Sequence, residues 1–214
     1  DIPFERYVPD HGASHQRLRA LAALRGEVKG ITRPLIVSSV TAASQATLER
    51  SVFDSCTQAL SLRNRIDLEM QINKLIQMGY VHEPTVEIPG TFSRRGGILD
   101  IFPISKDRPV RIKLFDDEIE SIRHFDPLTQ RSAGKVRTVT ILPAYETLPQ
   151  LADEDRVQEL LGRMDLIGTS EEAQRRIPSE LSHALAGEVI NEISFYAGFF
   201  NLGSVFDYLP AESL

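Results

Sequence analysis

The sequence predicts a mixed α/β and α+β fold, in which two helix-rich flanking segments enclose a small module with an antiparallel sheet. Three observations indicate this: an apolar, β-branched run near the start, a series of short β-like runs in the middle, and helical periodicity in the last third. At 214 residues and 42% hydrophobic content, the chain can bury a packed core.

The first flank is predicted to hold a helix, a strand and a second helix. Residues 1–12 are expected to be irregular because of their prolines and glycine. The helix that follows has Ser14 as its N-cap and Gly26 as its C-cap. The run PLIVSSV at residues 34–40 is typical of a buried strand, and residues 41–50 are predicted to form the next helix.

The middle of the chain changes to a β-rich pattern around one helix. A strand is predicted at residues 59–66, followed by a helix at residues 67–78 that is capped by Asp67 and ended by Gly79. Short runs separated by Pro, Gly and Asp then predict further strands. These strands are expected at residues 80–88, 90–94, 97–102, 109–115, 118–125 and 136–142.

The last third returns to helical periodicity. Helices are predicted at residues 153–164, 170–176 and 179–193, with the second one ending before Pro178. The segment FFNLGSVFDYLP at residues 199–210 is too apolar to be a solvated tail.

Charge and composition exclude several classes of protein. A net charge of -6 and a pI near 5.4 argue against a general nucleic-acid-coating protein, since phosphate binding depends on clustered Lys and Arg. No run approaches the roughly 18 apolar residues of a membrane span, so no membrane partner and a cytoplasmic location are expected. Cys56 is the single cysteine, which excludes an internal disulfide. The first residue is Asp, and an excised piece of a longer protein is expected.

The sequence carries no motif that assigns catalysis. Neither GxxxxGK[ST] nor GxSxG occurs, and the five histidines are scattered. The Arg95-Gly96-Gly97 segment is interpreted as a turn or bulge, because a β-like run rather than a helix follows it. The acidic group at residues 116–120 is interpreted as a hairpin turn beside a solvated strand. No catalytic residue, metal or cofactor is therefore expected in this chain.

The predicted strand at residues 109–115 contains the strongest candidate for a binding surface. Its alternation places Arg111, Lys113 and Phe115 on the face opposite to three apolar residues. The apolar set is Val110, Ile112 and Leu114. An exposed aromatic among cations is typical of protein interfaces. The alternation equally allows Phe115 to turn inward at the hairpin or to lie under the helix that starts at Asp67.

The segment TFSRRGGILDIFPISKDRPVRIKLFDDEIESIRHFDPLTQRS, residues 91–132, resembles a module shared by UvrB excision-repair helicases and transcription-repair coupling factors. Both have Arg-Gly before an apolar run that ends in Asp-hydrophobic-Phe-Pro, then a basic-apolar strand, an acidic turn and a Phe-Asp-Pro-like element. The opening FERYVP and the ending FDYLP resemble the amino-terminal region of the coupling factors. The alternatives are a fragment of a UvrB helicase that contacts UvrA and damaged DNA, and a stand-alone enzyme.

The resemblance implies three docking residues. In the coupling factors the module docks onto UvrA through the Arg of Arg-Gly, the Arg of the following basic strand and the Phe that closes it. The matching positions are Arg95, Arg111 and Phe115. Arg94 is adjacent, but only Arg95 directly precedes Gly96.

The resemblance also implies the domain organisation. Residues 57–146 would form the UvrA-binding α+β module, inserted into a degenerate helicase-like α/β domain whose parts are residues 1–56 and 147–214. The family implies no working nucleotide site in this chain. The ATP- and Mg-dependent DNA motor and the part that binds RNA polymerase would lie outside it.

Overall fold

A computed structural model of the chain describes residues 11–26, 35, 37–188, 190 and 193–209. Its strands lie between residues 58 and 141 and form two sheets. The strands are β1 (Gln58–Ser61), β2 (Val81–His82), β3 (Thr91–Arg95), β4 (Ile98–Ile101), β5 (Val110–Phe115), β6 (Glu118–Phe125), β7 (Ser132–Val136) and β8 (Thr138–Ile141).

Helices lie on both sides of this β-rich segment, and one helix lies within it. They are α1 (His11–Leu24), α2 (Val40–Ala43), α3 (Arg50–Cys56), α4 (Leu68–Gln77), α5 (Glu154–Arg163), α6 (Glu171–Leu185) and α7 (Ala197–Phe200). Short 3₁₀ turns occur at Pro149–Leu151, Ile193–Tyr196 and Val205–Tyr208. None of the helices that the structure describes is both long and apolar enough to cross a membrane.

The larger sheet has six strands in the order β2-β3-β4-β5-β6-β7. Adjacent strands of this sheet pair antiparallel, except for the short parallel pair of β2 and β3. A separate antiparallel pair of β1 and β8 joins the two ends of the module. The predicted fold class is confirmed, because an α+β module with a mainly antiparallel sheet lies between helical segments.

One face of the larger sheet, which we call the inner face, packs against α4. Leu75 of this helix and Met78 just after it are fully buried in the same core as strand residues. The side chain of Asp67 caps the helix by accepting the Met70 amide at 2.9 Å. Gly79 follows the helix with φ of +84°, a conformation that glycine adopts without strain. Both predicted helix boundaries are therefore confirmed.

The segments before and after the module contact each other. Tyr208 donates a hydrogen bond from its hydroxyl to the Leu48 carbonyl at 2.8 Å, and its ring meets that of Phe53 edge-on at 5.4 Å. Thr47 and Gly203 form an antiparallel bridge. These residues belong to or border the core beneath the inner face. The domain boundaries at residues 56 and 146 stay a prediction.

A second, smaller core lies in the last third of the chain, where α5, α6 and residues 193–200 pack together. The predicted break before Pro178 is wrong, because α6 continues through it. Proline removes one backbone hydrogen bond from a helix, but Ile177 and Leu181 are buried in this core on either side of it. Tertiary packing therefore keeps the helix continuous across Pro178. The helix ends at Leu185, before residue 193, where the last helix was predicted to end.

The predictions for the first flank are only partly correct. Residues 34 and 36 lie outside the described residues, and where residues 34–40 are described they form no strand, since Val40 begins α2. Leu35 and Val37 are each 90% exposed. The described residues therefore do not bury this segment, as a buried strand would require. The predicted helix at residues 41–50 is replaced by α2 and α3.

The first helix begins earlier than predicted, at His11, so Ser14 is not its cap and Gly12 is helical. Residues 1–10 lie outside the described residues. Gly26 follows the helix with φ of +74°, as the predicted C-cap requires.

Two strand predictions fail and one strand was missed, each for a local reason. The strand predicted at residues 59–66 ends at Ser61, where Arg63 takes φ of +67° in a turn. The one at residues 80–88 shrinks to β2, because a proline such as Pro84 cannot donate to a ladder. β7 was not predicted, since its SAGKV sequence lacks apolar alternation.

We expect Gly79→Ala to lower the free energy of unfolding by about 2 kcal/mol, because a side chain is strained at this φ. The added Cβ would also lie 2.6 Å from the Tyr145 ring. Gly162→Ala, in open space within α5, is the matched control and should raise stability by about 0.5–1 kcal/mol. Urea unfolding measures both, and equal effects of the two changes would contradict this account of the helix end.

Candidate protein-docking site

The pleat of β5 sorts its side chains between the two faces of the sheet. Its three predicted core residues are buried, which confirms that prediction. They are Val110, Ile112 and Leu114. Arg111, Lys113 and Phe115 project from the opposite face, which we call the outer face.

Phe115 is the most exposed aromatic on the outer face, with 76% of its surface accessible. It closes β5 immediately before a two-residue turn, in which Asp116 takes φ of +57° and Phe115 pairs with Glu118. The alternatives that this ring turns inward or lies under α4 are therefore wrong. A large apolar side chain held in water by a hairpin is available to a partner.

Arg111 is held in place by a buried carboxylate on the neighbouring strand. Its Nε and Nη2 donate to the two oxygens of Asp100, each at 2.8 Å, and Asp100 is 1% exposed. The guanidinium also lies over the Phe125 ring, 4.7 Å from its centroid. The hydrogen bonds to Asp100 raise the pKa of Arg111 further above its usual range. The side chain keeps 23% of its surface exposed at the edge of this cluster.

The two arginines before Gly96 point to opposite faces of the sheet. Arg95 reaches the outer face, where its Nη2 donates to Asp100 at 3.2 Å while 58% of its side chain stays exposed. Arg94 forms an ion pair with Glu69 of α4, on the inner side. The alternation of β3 therefore favours Arg95 over Arg94 as a neighbour of Arg111.

The structure brings two of the three predicted docking residues together and leaves the third farther along the strand. Arg95 and Arg111 share the carboxylate of Asp100. Phe115 follows Arg111 by four residues, which corresponds to about 13 Å along a strand. The three residues nevertheless lie on one face of one sheet, and we call them the docking face.

Sequence reasoning missed a cross-strand row that runs through Arg111. The strand register aligns Asp100, Arg111, Arg123 and Lys135 on adjacent strands. Arg123 and Lys135 are exposed, and within the described residues they form no ion pair. The outer face is therefore locally basic in a chain with a net charge of -6.

The sequence did contain one indication that Asp100 is paired. This carboxylate lies in the apolar run ILDIF, and a carboxylate that is buried needs a cationic partner.

A groove with a volume of about 620 Å³ lies elsewhere, between α3, α4 and Leu151. None of the three docking-face residues lines it. Its Cys56 is buried, and burial raises the pKa of the thiol, which favours the unreactive protonated form. Among the described residues, no group of three or more His, Cys, Asp or Glu side chains could hold a metal ion.

Comparison with known proteins gives a family match for the module and relatives whose similarity extends beyond it. A model of the family described as "UvrB interaction domain" matches residues 59–146. The chain is 38% identical over 155 residues to a transcription-repair-coupling factor of Myxococcus xanthus, which covers 72% of this chain and 12% of that protein. The factor of Bacillus subtilis is 29% identical over 192 residues, covering 85% of this chain and 16% of the relative.

A third relative, the transcription-repair-coupling factor of Staphylococcus aureus strain USA300, is 40% identical over 131 residues. This match covers 61% of the chain and 11% of the relative. The chain thus spans less than a fifth of the length of each of these relatives.

We expect Arg111→Ala to lower the free energy of unfolding by about 2 kcal/mol, because it leaves the Asp100 carboxylate buried with Arg95 as its remaining cation. Phe115→Ala on the same strand should change it by less than about 0.5 kcal/mol, since the ring is mostly in water. Urea denaturation of both variants compares them directly. A larger loss for Phe115→Ala than for Arg111→Ala would show that the ring is structural.

Proposed function

Because the chain belongs to the family of transcription-repair-coupling factors, with a UvrB interaction domain at residues 59–146, we propose that its outer sheet face docks the excision-repair protein UvrA. The docking face of Arg95, Arg111 and Phe115 would supply the contact. The support for UvrA as the partner is the resemblance of residues 91–132 to the UvrA-docking module.

The observation that most supports docking is the exposure of Phe115 on the same sheet face as Arg95 and Arg111. An aromatic side chain and arginines are the residue types that most often dominate the binding free energy of protein interfaces. Phe115 is 76% exposed and its turn makes no use of the ring, so folding alone does not explain an aromatic residue there. Arg95 and Arg111 keep N–H groups free to bind carboxylates or carbonyls of a partner.

The chain is a docking module rather than a motor. Its sequence contains no GxxxxGK[ST] motif. We propose that the parent protein recognises stalled RNA polymerase and moves on DNA in the cytoplasm, using ATP and Mg²⁺ bound by a motor outside this chain. In that arrangement the docking face recruits UvrA to the stalled polymerase.

A UvrB fragment is the alternative reading of the module. The module alone does not decide between the two, because its family is described as a UvrB interaction domain. The relatives that match most of this chain are named transcription-repair-coupling factors, which favours the coupling factor. The alternative in which the chain contacts damaged DNA directly is therefore less well supported.

We expect Phe115→Ala to weaken UvrA binding by about 30-fold, the loss typical of a hot-spot side chain. Arg95→Ala and Arg111→Ala should each weaken it by about tenfold or more. Titration of labelled protein with purified UvrA measures the dissociation constants.

Arg94→Ala is the matched control, because Arg94 is adjacent in sequence but pairs with Glu69 on the inner side. It should bind UvrA as the unmodified chain does. Unchanged affinity for all three docking-face variants would refute the proposed function.

A further inference from the structure

We propose that Asp100 is a positioning residue, whose buried carboxylate fixes the guanidinium groups of Arg95 and Arg111 in the orientation that UvrA contacts. This inference rests on the proposed function. Neither the sequence pattern nor the family resemblance assigns a role to Asp100.

The hydrogen bonds of Asp100 fix the orientation of the Arg111 guanidinium before a partner binds. Asp100 accepts Nε and Nη2 of Arg111 in two bonds of 2.8 Å, one to each carboxylate oxygen. The oxygen that accepts Nη2 also accepts Nη2 of Arg95 at 3.2 Å. Two parallel bonds between planar groups fix both the position and the plane of the guanidinium. Because Asp100 is 1% exposed, the surrounding core holds the carboxylate itself.

Two further contacts hold Arg111 on its other sides. Nη1 donates to the Gln130 carbonyl at 3.3 Å, and the guanidinium lies over the Phe125 ring. Gln130 is itself tied down, since its side-chain amide donates to the Val86 and Pro127 carbonyls. A guanidinium has five N–H groups, and these contacts use three of them. Arg111 therefore keeps two N–H groups for a partner without breaking its internal bonds.

The negative charge of Asp100 makes it possible to distinguish two mechanisms, namely positioning of the arginines and simple electrostatic attraction of the outer face to UvrA. Arg95, Arg111 and Asp100 together carry a net charge of about +1, and neutralising Asp100 would raise it. If docking depended only on the positive potential of the outer face, removing this anion would strengthen binding to an acidic surface. If docking depends on orientation, the same change weakens binding, because the arginines must then be ordered during association. The two mechanisms predict opposite signs.

Asp100→Asn tests the sign directly. The carboxamide keeps the size of the side chain but replaces one acceptor by a donor that faces the Arg111 N–H groups. We expect UvrA binding about tenfold weaker, although the face gains positive charge. Asp155→Asn, on the exposed side of α5, is the matched control and should leave affinity unchanged. Unchanged or stronger binding by Asp100→Asn overturns the inference.

A double-mutant cycle separates positioning from a loss of folding. In an Arg111→Ala background, Asp100→Asn should add less than about a twofold further loss, because the main group that it orients is absent. An equal loss in both backgrounds would mean that Asp100 serves only the fold, and would overturn the inference.

If Asp100→Asn does not fold, the Arg111→Lys variant tests the positioning role instead. A lysine keeps the charge but cannot form the planar fork, so binding should weaken about tenfold. Full affinity for Arg111→Lys would overturn the positioning role. Failure of the proposed function looks different, because Phe115→Ala would then also leave UvrA binding unchanged.

Discussion

The pleat of β5 is the constraint on which the docking face depends. Successive side chains of a strand must point to opposite faces, so the burial of Val110 and Ile112 in the core that they share with Leu75 of α4 forces Arg111 outward. A shift of register by one residue would bury the cations and expose the core. The packing of the inner face thus determines the composition of the outer face. The hairpin turn after Phe115 then leaves the ring at the end of the strand, in water.

The second determinant is the buried ion pair that joins β4 to β5. A carboxylate as buried as Asp100 is costly unless it is paired and hydrogen-bonded, and both arginines contribute to its pairing. The cluster therefore couples the stability of the sheet to the shape of its exposed surface. Arg123 and Lys135, the other two members of the same cross-strand row, have no such partner within the described residues, so their positive charge faces solvent.

The sequence predicted those parts of the fold that local chemistry determines. The cap at Asp67, the helix end at Gly79 and the alternation of β5 follow from short patterns. The continuation of α6 through Pro178 depends instead on packing with a distant segment, which no local pattern reveals. β7 likewise forms because β6 offers it an edge, although only Val136 among its own residues is a sizeable apolar one.

The same division applies to the candidate site. Alternation and resemblance were sufficient to select Arg95, Arg111 and Phe115, but spacing alone left the exposure of Phe115 undecided. The link through Asp100 needed the register of β4 against β5, which the sequence does not specify. Their role in binding UvrA stays a prediction.

Site-specific photocrosslinking tests the central claim, that the outer face docks UvrA, most directly. A photoreactive phenylalanine analogue would replace Phe115 in one sample, and in a second sample it would replace Met70, which is also exposed but lies on α4 at the inner side. The account predicts a covalent adduct with UvrA from position 115 and none from position 70. An adduct from position 70 without one from position 115 would contradict it.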